Sequence, residues 1–323
     1  GLATYRNRYI NFTPRCKTLI QKKWVEIGEK LFELYIEENG KPDIIHAHSL
    51  FNGGLLAHYL SEKHKIPFVI TEHSTAFSRG MLSDKQIYSA QVAVDNACIC
   101  IAVSNEFKTL LNEQFKTDKW VYIPNIVSNK FLKSNLINHQ NRNNTYRFIN
   151  ICLLESKKKV DLLIHAFHIL SAKVDNIELE IGGGGPQLKY LINLVNELSL
   201  NDKVKFLGVL TRTEVLDKVS NSNAFVLSSE FETFGVVLVE ALALGKPVVA
   251  TKCGGPESIV TPKVGYLVKK NSSEALAEGM MLLYSNRSSF NAQNIRDYCS
   301  GEFSEEAVVN KLASVYNDVV DNE

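Results

Sequence analysis

The alternation of short apolar runs with helical stretches constrains this chain more than any other feature. From about residue 40, runs rich in β-branched residues and bounded by turn residues are separated by helical stretches; the first three are DIIHAHS, IPFVITEHS and ACICIAVS. Strands that alternate with helices of this length are typical of βαβ units, which build a parallel sheet. The sequence therefore predicts an α/β protein.

A polar, asparagine-rich segment at residues 133–147 interrupts the alternation and has the composition of a linker. After it the alternation restarts and predicts a second sheet of about six strands. The 323 residues are enough for two domains. We expect a Rossmann-like domain over 1–140, completed by a C-terminal helix over 303–321 that packs back on it, and a second Rossmann-like domain over 146–302. Such domains facing each other across a cleft place a ligand at the carboxyl ends of their strands.

The start of the first domain is unlike that of the second. Its alternation begins only near residue 40, and no strand with a Gly-rich loop precedes it. The favoured interpretation is a fragment of a longer protein, and the alternative is a shortened first domain.

The first 25 residues form a basic and aromatic segment without a single acidic residue. Such a surface is suited to an anionic membrane, where each cation contributes about 1 kcal/mol. The alternative is one solvated face of the domain. The residues concerned are Arg6, Arg8, Arg15, Lys17, Lys22 and Lys23, with Tyr5, Tyr9, Phe12 and Trp24 among them.

Composition and missing motifs exclude several classes of function. A net charge of +1 provides no field for a nucleic-acid backbone. Gly245-Lys246 is followed by proline, Gln187 replaces the third glycine of GxGxxG, and no Asp-x-Asp pair occurs. A P-loop, a dinucleotide fingerprint and a carboxylate pair for a divalent ion are therefore absent from the sequence. We expect no metal and no cofactor, and a cytoplasmic location that leaves peripheral attachment to the inner face of the membrane open.

Residues 228–258, SSEFETFGVVLVEALALGKPVVATKCGGPES, carry the most chemical information. A loop with Glu230 and Glu232 leads into a helix that starts near Gly235. The N–H groups and partial positive charge of a helix N-terminus favour an anion. Glu240 lies within the apolar run VVLVEALAL, where a carboxylate is costly unless it is paired or bound. The alternative is a set of solvated carboxylates around an amphipathic helix.

The spacing Glu232-x7-Glu240, followed by ALALGKPVVAT and GGPE, resembles the signature of retaining family 4 glycosyltransferases of GT-B fold. Further stretches match the same family in order over about residues 40–320: PDIIHAHS, ITEHS, IAVS, IPNIVSNKF, LESKKKVDLLIHAF, EIGGGGPQLKYL and FLGVLTRTEV. The resemblance implies the GT-B fold and a transferase that uses a nucleotide-diphosphate sugar.

The resemblance also implies roles for the matched residues. Lys158 would neutralise the donor diphosphate, Glu240 would bind the nucleotide ribose, and Glu232 would bind the donor sugar. His73 would lie near the reacting sugar and His48 on the acceptor side, although each histidine alone could equally be a structural strand-end residue. Lys158, Glu232 and His73 are the catalytic candidates. The other donor-binding candidates are Gly183, Gly184, Leu210 beside the base, Phe234, Gly235 and Val236.

The chain departs from the family pattern at Leu153, where the family has an arginine five residues before its lysine. Loss of one of two cations could remove on the order of 3 kcal/mol of transition-state stabilisation. Lys157 and Lys159 could compensate, or the protein is weakly active or inactive. The second departure is the family's N-terminal strand and Gly-rich loop, which this sequence lacks.

The resemblance therefore implies metal-independent, retaining transfer from a UDP-sugar, or from GDP-mannose, to a glycan or lipid-linked saccharide acceptor in surface-polysaccharide synthesis. Two alternatives remain. One is a non-catalytic sugar-nucleotide-binding or scaffold subunit of GT-B fold. The other is a GT-B sugar-nucleotide epimerase, which would consume the donor without an acceptor.

Overall fold

The computed structural model describes residues 3–8, 17–137 and 145–321, without the side chains of Lys17 and Thr18. It divides into two compact units. Unit 1 comprises Gly1–Val103, Phe107–Ile123 and Lys311–Glu323, and unit 2 comprises Ser104–Glu106 and Pro124–Asn310. Each unit contains one parallel sheet, which confirms the predicted α/β class.

The sheet of unit 1 has four strands in the order β1-β2-β3-β4, all parallel. Every residue of β2 is buried, because helices cover both faces of a parallel sheet. The three predicted strand runs are confirmed as β1 to β3, whereas the three-residue β4 was not predicted. The strands are β1 (Ile45–His48), β2 (Phe68–Glu72), β3 (Ile99–Ala102) and β4 (Trp120–Tyr122), and the helices of this part of the chain are α1 (Lys17–Asn39), α2 (Leu55–His64), α3 (Asp84–Asn96) and α4 (Asn105–Phe115).

The sheet of unit 2 has six parallel strands, the number that the sequence predicted, in the order β10-β9-β8-β5-β6-β7. The strand order reverses between β8 and β5, and ligands of such sheets bind outside the carboxyl ends of the strands at this switch point. The strands are β5 (Tyr146–Ile151), β6 (Ile177–Gly182), β7 (Val204–Gly208), β8 (Ala224–Leu227), β9 (Val248–Thr251) and β10 (Gly265–Val268).

The helices of unit 2 follow the predicted alternation up to β10. Beyond β10, two helices that the sequence analysis did not predict, α10 and α11, precede the predicted C-terminal helix α12. The helices from residue 124 onward are α5 (Asn129–Leu132), α6 (Val160–Ser171), α7 (Leu188–Glu197), α8 (Arg212–Ser220), α9 (Val236–Ala243), α10 (Ser273–Ser285), α11 (Ala292–Phe303) and α12 (Glu305–Val320).

The C-terminal helix α12 packs back on the first sheet, as predicted. From Lys311 onward it belongs to unit 1. The Tyr316 hydroxyl lies 2.5 Å from His46 Nδ1 on β1, and His46 Nε2 lies 2.7 Å from Thr71 Oγ1 on β2. Burial, together with the neighbouring His48 and His73, lowers the pKa of His46 to about 4. A neutral imidazole therefore joins α12 to the sheet.

The amino-terminal basic segment is described only in part: Tyr9, Phe12 and Arg15 lie outside the described residues. On α1, Lys23 pairs with Glu26 at 3.2 Å, and Trp24 is exposed. In the part of the chain that the structure covers, no helix combines the length and the apolar character that a membrane span needs.

The loop between β8 and α9 is hydrogen-bonded to the loop after β9. Glu232 N donates to Cys253 O at 3.1 Å, and Gly255 N donates to Glu232 O at 2.8 Å. A Cβ on Gly255 would lie 2.2 Å from Phe234 O and 2.4 Å from Phe234 Cα. Position 255 therefore requires glycine for these two loops to approach.

We predict that Gly255→Ala lowers the free energy of unfolding by about 2 kcal/mol or more, because the backbone of Phe234 must move. The matched control is Gly301→Ala, where an added Cβ on α11 meets no atom within 4 Å. The control should gain up to about 1 kcal/mol from helix propensity. Urea unfolding of both variants measures the difference, and equal effects would contradict the close approach.

A second prediction concerns pH. The pKa of His46 in the folded protein, about 4, lies below its ordinary value of 6.5. The unfolded chain therefore binds the proton more readily, and folding stability is lost as the pH falls from about 6.5 to about 4. When the pH is lowered from 7 to 5, the free energy of unfolding of His46→Gln should fall by on the order of 1 kcal/mol less than that of the wild type. An exposed-site control, His168→Gln, should follow the wild type. Thermal unfolding at both pH values tests this, and identical pH dependence in all three proteins would refute it.

Candidate functional site

The predicted donor-binding residues of unit 2 follow four neighbouring strands at their carboxyl ends. Lys158 comes after β5, Gly183 and Gly184 after β6, Leu210 after β7, and Glu232 after β8. Carboxyl ends of parallel strands share one edge of the sheet, so the topology gathers these residues there.

Lys158 and Glu232 are in direct contact at this edge. Lys158 Nζ lies 2.5 Å from Glu232 Oε1, and Ser229 Oγ donates to the same oxygen at 2.7 Å. Both charged side chains are largely buried. Ser228 Oγ donates to Lys158 O at 2.8 Å, which fastens the loop after β5 to the loop after β8. The arrangement presents an ammonium group and a carboxylate side by side, and these suit an anion and hydroxyl groups respectively.

The start of α9 lies directly after Glu232. Gly235 has a φ of +107°, a left-handed conformation that favours glycine, and no side chain caps the helix there. The first turn of a helix has N–H groups without intrahelical partners. The side chain of Phe234 is buried against Phe303, with ring centroids 5.8 Å apart. A ligand would therefore meet the backbone of Phe234, Gly235 and Val236 rather than the Phe234 ring.

Glu240 is buried within α9, with 3% of its side chain exposed. Its Oε1 accepts a hydrogen bond from Arg212 Nη2 at 2.6 Å. The expectation that this carboxylate needs a partner is thus met within the chain itself. The sequence analysis missed Arg212, although it stands two residues after Leu210 and the capping sequence Thr211-x-x-Glu214 marks it as the first residue of α8.

Glycines after β6 allow three loops to meet closely. Gly183 has a φ of +127°, and a Cβ there would lie 1.8 Å from Cys152 O. A Cβ on Gly184 would lie 2.8 Å from Val209 Cγ2, and one on Gly182 would lie 2.8 Å from Leu210 Cδ1. Larger residues would separate the loops after β5, β6 and β7 at the candidate site.

Leu153 projects into solvent beside these loops, with 56% of its surface exposed. The two lysines considered as substitutes for the family arginine each have a carboxylate partner. Lys157 lies 3.1 Å from Glu155, and Lys159 lies 3.4 Å from Glu230. Both lysines are therefore ion-paired in this structure.

In unit 1, the two predicted histidines contact each other at the ends of β1 and β2. His48 Nδ1 lies 3.1 Å from His73 Nε2, and the rings stack with centroids 5.4 Å apart. The His48 ring also stacks on His46, with centroids 4.5 Å apart. Burial lowers the pKa of both His48 and His73, which favours neutral imidazoles at neutral pH.

Glu72, at the end of β2, holds the loops that carry these histidines, and the sequence analysis missed it. Its buried carboxylate accepts hydrogen bonds from three backbone N–H groups, those of Leu50 at 2.7 Å, His73 at 2.8 Å and Ser74 at 2.7 Å. The sequence signal was available, because a carboxylate ends the apolar strand FVITE and such a group needs partners.

Over residues 3–8, 17–137 and 145–321, no cluster of three or more His, Cys, Asp or Glu side chains is arranged to bind a metal ion.

The family model described as Glycosyl transferases group 1 matches residues 134–299, just over half of the chain. The model described as Glycosyltransferase Family 4 matches residues 12–130. An uncharacterized glycosyltransferase of Methanocaldococcus jannaschii is 28% identical over 98% of this chain and 87% of its own length. The N-acetyl-alpha-D-glucosaminyl L-malate synthase of Bacillus anthracis is 26% identical over 91% of this chain and 79% of its own.

The fold is also that of solved glycosyltransferase structures. HepE of Anabaena, solved in complex with UDP, matches with a TM-score of 0.79 at 22% identity, over 91% of this chain and 82% of its own. With two parallel-sheet α/β units and this likeness, the chain has the GT-B fold. Because the family model that matches over half of the chain spans the linker and the six-stranded sheet, this protein belongs to the group 1 glycosyl transferases.

Proposed function

We propose that this chain transfers a sugar from a nucleotide-diphosphate sugar to an acceptor hydroxyl, with retention of configuration and without a metal. The observation that carries the proposal is the contact of Lys158 with Glu232 beside the uncapped start of α9. A UDP-sugar is the favoured donor, which is supported by HepE, a structural relative solved with UDP, and GDP-mannose is the alternative.

In the proposed reaction, the diphosphate binds at the start of α9 and beside Lys158. Positive charge fixed in place before the reaction stabilises the negative charge that develops on the leaving group. Glu232, which pairs with Lys158 in the free protein, accepts hydrogen bonds from the hydroxyls of the donor sugar. The acceptor oxygen bonds to the anomeric carbon on the face from which the diphosphate departs. A phosphate oxygen takes the acceptor proton, so no side-chain nucleophile is needed.

The remaining donor-binding residues have separate tasks in this proposal. Glu240 binds the nucleotide ribose through its carboxylate. Leu210, packed on Gly182, contacts the base. Gly183 and Gly184 keep the backbone after β6 close to the donor.

In the proposed reaction, residues of unit 1 bind the acceptor. His73 contacts the reacting sugar and His48 helps to shape the acceptor site, both as neutral imidazoles that hydrogen-bond hydroxyl groups. The proposed acceptor is a glycan or lipid-linked saccharide of surface-polysaccharide synthesis. The proposed location is cytoplasmic, with the basic residues of the amino-terminal segment against an anionic membrane surface.

The donor site is tested by thermal unfolding with UDP, GDP and ADP, without added metal. A nucleotide present at about a hundred times its dissociation constant should stabilise the protein by roughly 2.7 kcal/mol. We expect one base to produce this shift, Glu240→Gln to reduce it sharply, and the exposed control Glu278→Gln on α10 to keep it. An undiminished shift in Glu240→Gln would contradict the ribose assignment. The absence of a shift with all three nucleotides would contradict the function.

A non-catalytic sugar-nucleotide-binding subunit is the second candidate function. The observation that favours it is the exposed Leu153 at the position of the family arginine, with both neighbouring lysines already paired.

Leu153→Arg separates the two candidates. In a weakened enzyme it should raise turnover of the donor by about a hundredfold, since one preorganised cation contributes roughly 3 kcal/mol. Leu153→Gln, which removes the apolar group without adding charge, should leave turnover unchanged. A binding subunit would show no turnover in any of the three proteins, with nucleotide affinity preserved.

A further inference from the structure

The ion pair between Arg212 and Glu240 joins an exposed cation to a buried anion. Arg212 Nη2 lies 2.6 Å from Glu240 Oε1, with 59% of the arginine side chain exposed against 3% of the glutamate side chain. Among the residues the structure describes, Arg212 is the cation in contact with this carboxylate.

Three contacts hold Arg212 in place. Thr211 and Glu214 form a capping box that fixes Arg212 as the first residue of α8. The guanidinium lies over the ring of Phe131, 4.9 Å from its centroid, and Phe131 is fully buried on α5. Lys130 Nζ donates to Thr213 Oγ1 at 2.8 Å, which joins α5 to α8. The arginine is therefore oriented before any ligand binds.

Stability does not explain this ion pair. Replacement of a buried ion pair by apolar residues of similar volume is often neutral or stabilising. The residues around Glu240 on α9 are apolar and buried, so an apolar residue at 240 would continue the core. A buried carboxylate with an oriented and solvent-accessible arginine instead suggests a ligand that needs both.

We propose that Arg212 is a positioning residue for the nucleotide, which acts through Glu240 and selects a ribose over a deoxyribose. This inference rests on the proposed function, in which Glu240 binds the ribose. Arg212 holds Oε1 of Glu240 by its hydrogen bond, so that Oε2 accepts a hydrogen bond from one ribose hydroxyl.

The experiment measures the affinities of UDP and 2′-deoxy-UDP by calorimetry for each variant. The ratio of the two affinities tests the proposal. Both affinities are measured on the same folded molecules, so a variant that is partly unfolded changes the measured stoichiometry but not the ratio. Binding sites built around a hydroxyl discriminate strongly against analogues that lack it. We expect the wild type to prefer UDP by about thirtyfold or more.

Arg212→Ala should weaken UDP binding by about tenfold and reduce the preference to about threefold or less. Arg212→Lys should restore part of the preference, because it returns the charge without the planar fork. The matched control is Arg287→Ala, which removes another arginine that lies over an aromatic ring, 4.6 Å from the Tyr284 centroid. This control should bind both nucleotides as the wild type does.

A double-mutant cycle tests whether Arg212 acts through Glu240. Arg212→Ala combined with Glu240→Gln should bind UDP no more weakly than Glu240→Gln alone, since both changes interrupt one interaction. Additive losses would overturn the positioning role, as would an unchanged preference or tighter UDP binding in Arg212→Ala. If the wild type binds UDP normally, these outcomes refute the role of Arg212 and leave the proposed function standing. If the wild type binds neither UDP, GDP nor ADP, the proposed function fails and this inference fails with it.

Discussion

The hydrogen bonds and ion pair of Glu232 connect the loops on which the candidate donor site depends. Its carboxylate meets Lys158 from the loop after β5 and Ser229 from its own loop. Its backbone N–H and carbonyl pair with Cys253 and Gly255 in the loop after β9. One residue therefore ties together the carboxyl ends of three strands. The start of α9 is positioned by the same contacts, because it follows Glu232 directly.

The two glutamates of the Glu-x7-Glu spacing lie in different environments and suit different partners. Glu232 lies in a small polar cluster with Lys158 and Ser229, where a ligand anion can compete with the carboxylate for the lysine. Glu240 is enclosed by apolar residues of α9, and within the part of the chain that the structure describes its cationic contact is Arg212 of α8. A polar ligand that reached both carboxylates would have to extend along the first turns of α9, which suits a nucleotide with a diphosphate between its two sugar rings.

The sequence predicted most of the architecture because local patterns determine it. Alternating apolar runs predicted nine of the strands and most of the helices, and the three-residue β4 and the helices α5, α10 and α11 went unpredicted. The apolar run around Glu240 also indicated that its carboxylate needs a partner. The identity of that partner depends on a contact between Arg212 of α8 and Glu240 of α9, 28 residues apart, which no local pattern encodes. Glu72 was missed although its two partners His73 and Ser74 follow it directly in the chain; the third partner, Leu50, follows β1 and comes near only when β1 and β2 pair.

The central claim is that a nucleotide sugar binds at the carboxyl edge of the six-stranded sheet, over the start of α9. Backbone amide chemical shifts of the labelled protein, recorded by NMR while UDP is added without metal, test it most directly. The account predicts the largest shifts at the amides of Gly235 and Val236 and of Gly183 and Gly184. Saturable shifts elsewhere, with these four amides unmoved, would contradict it.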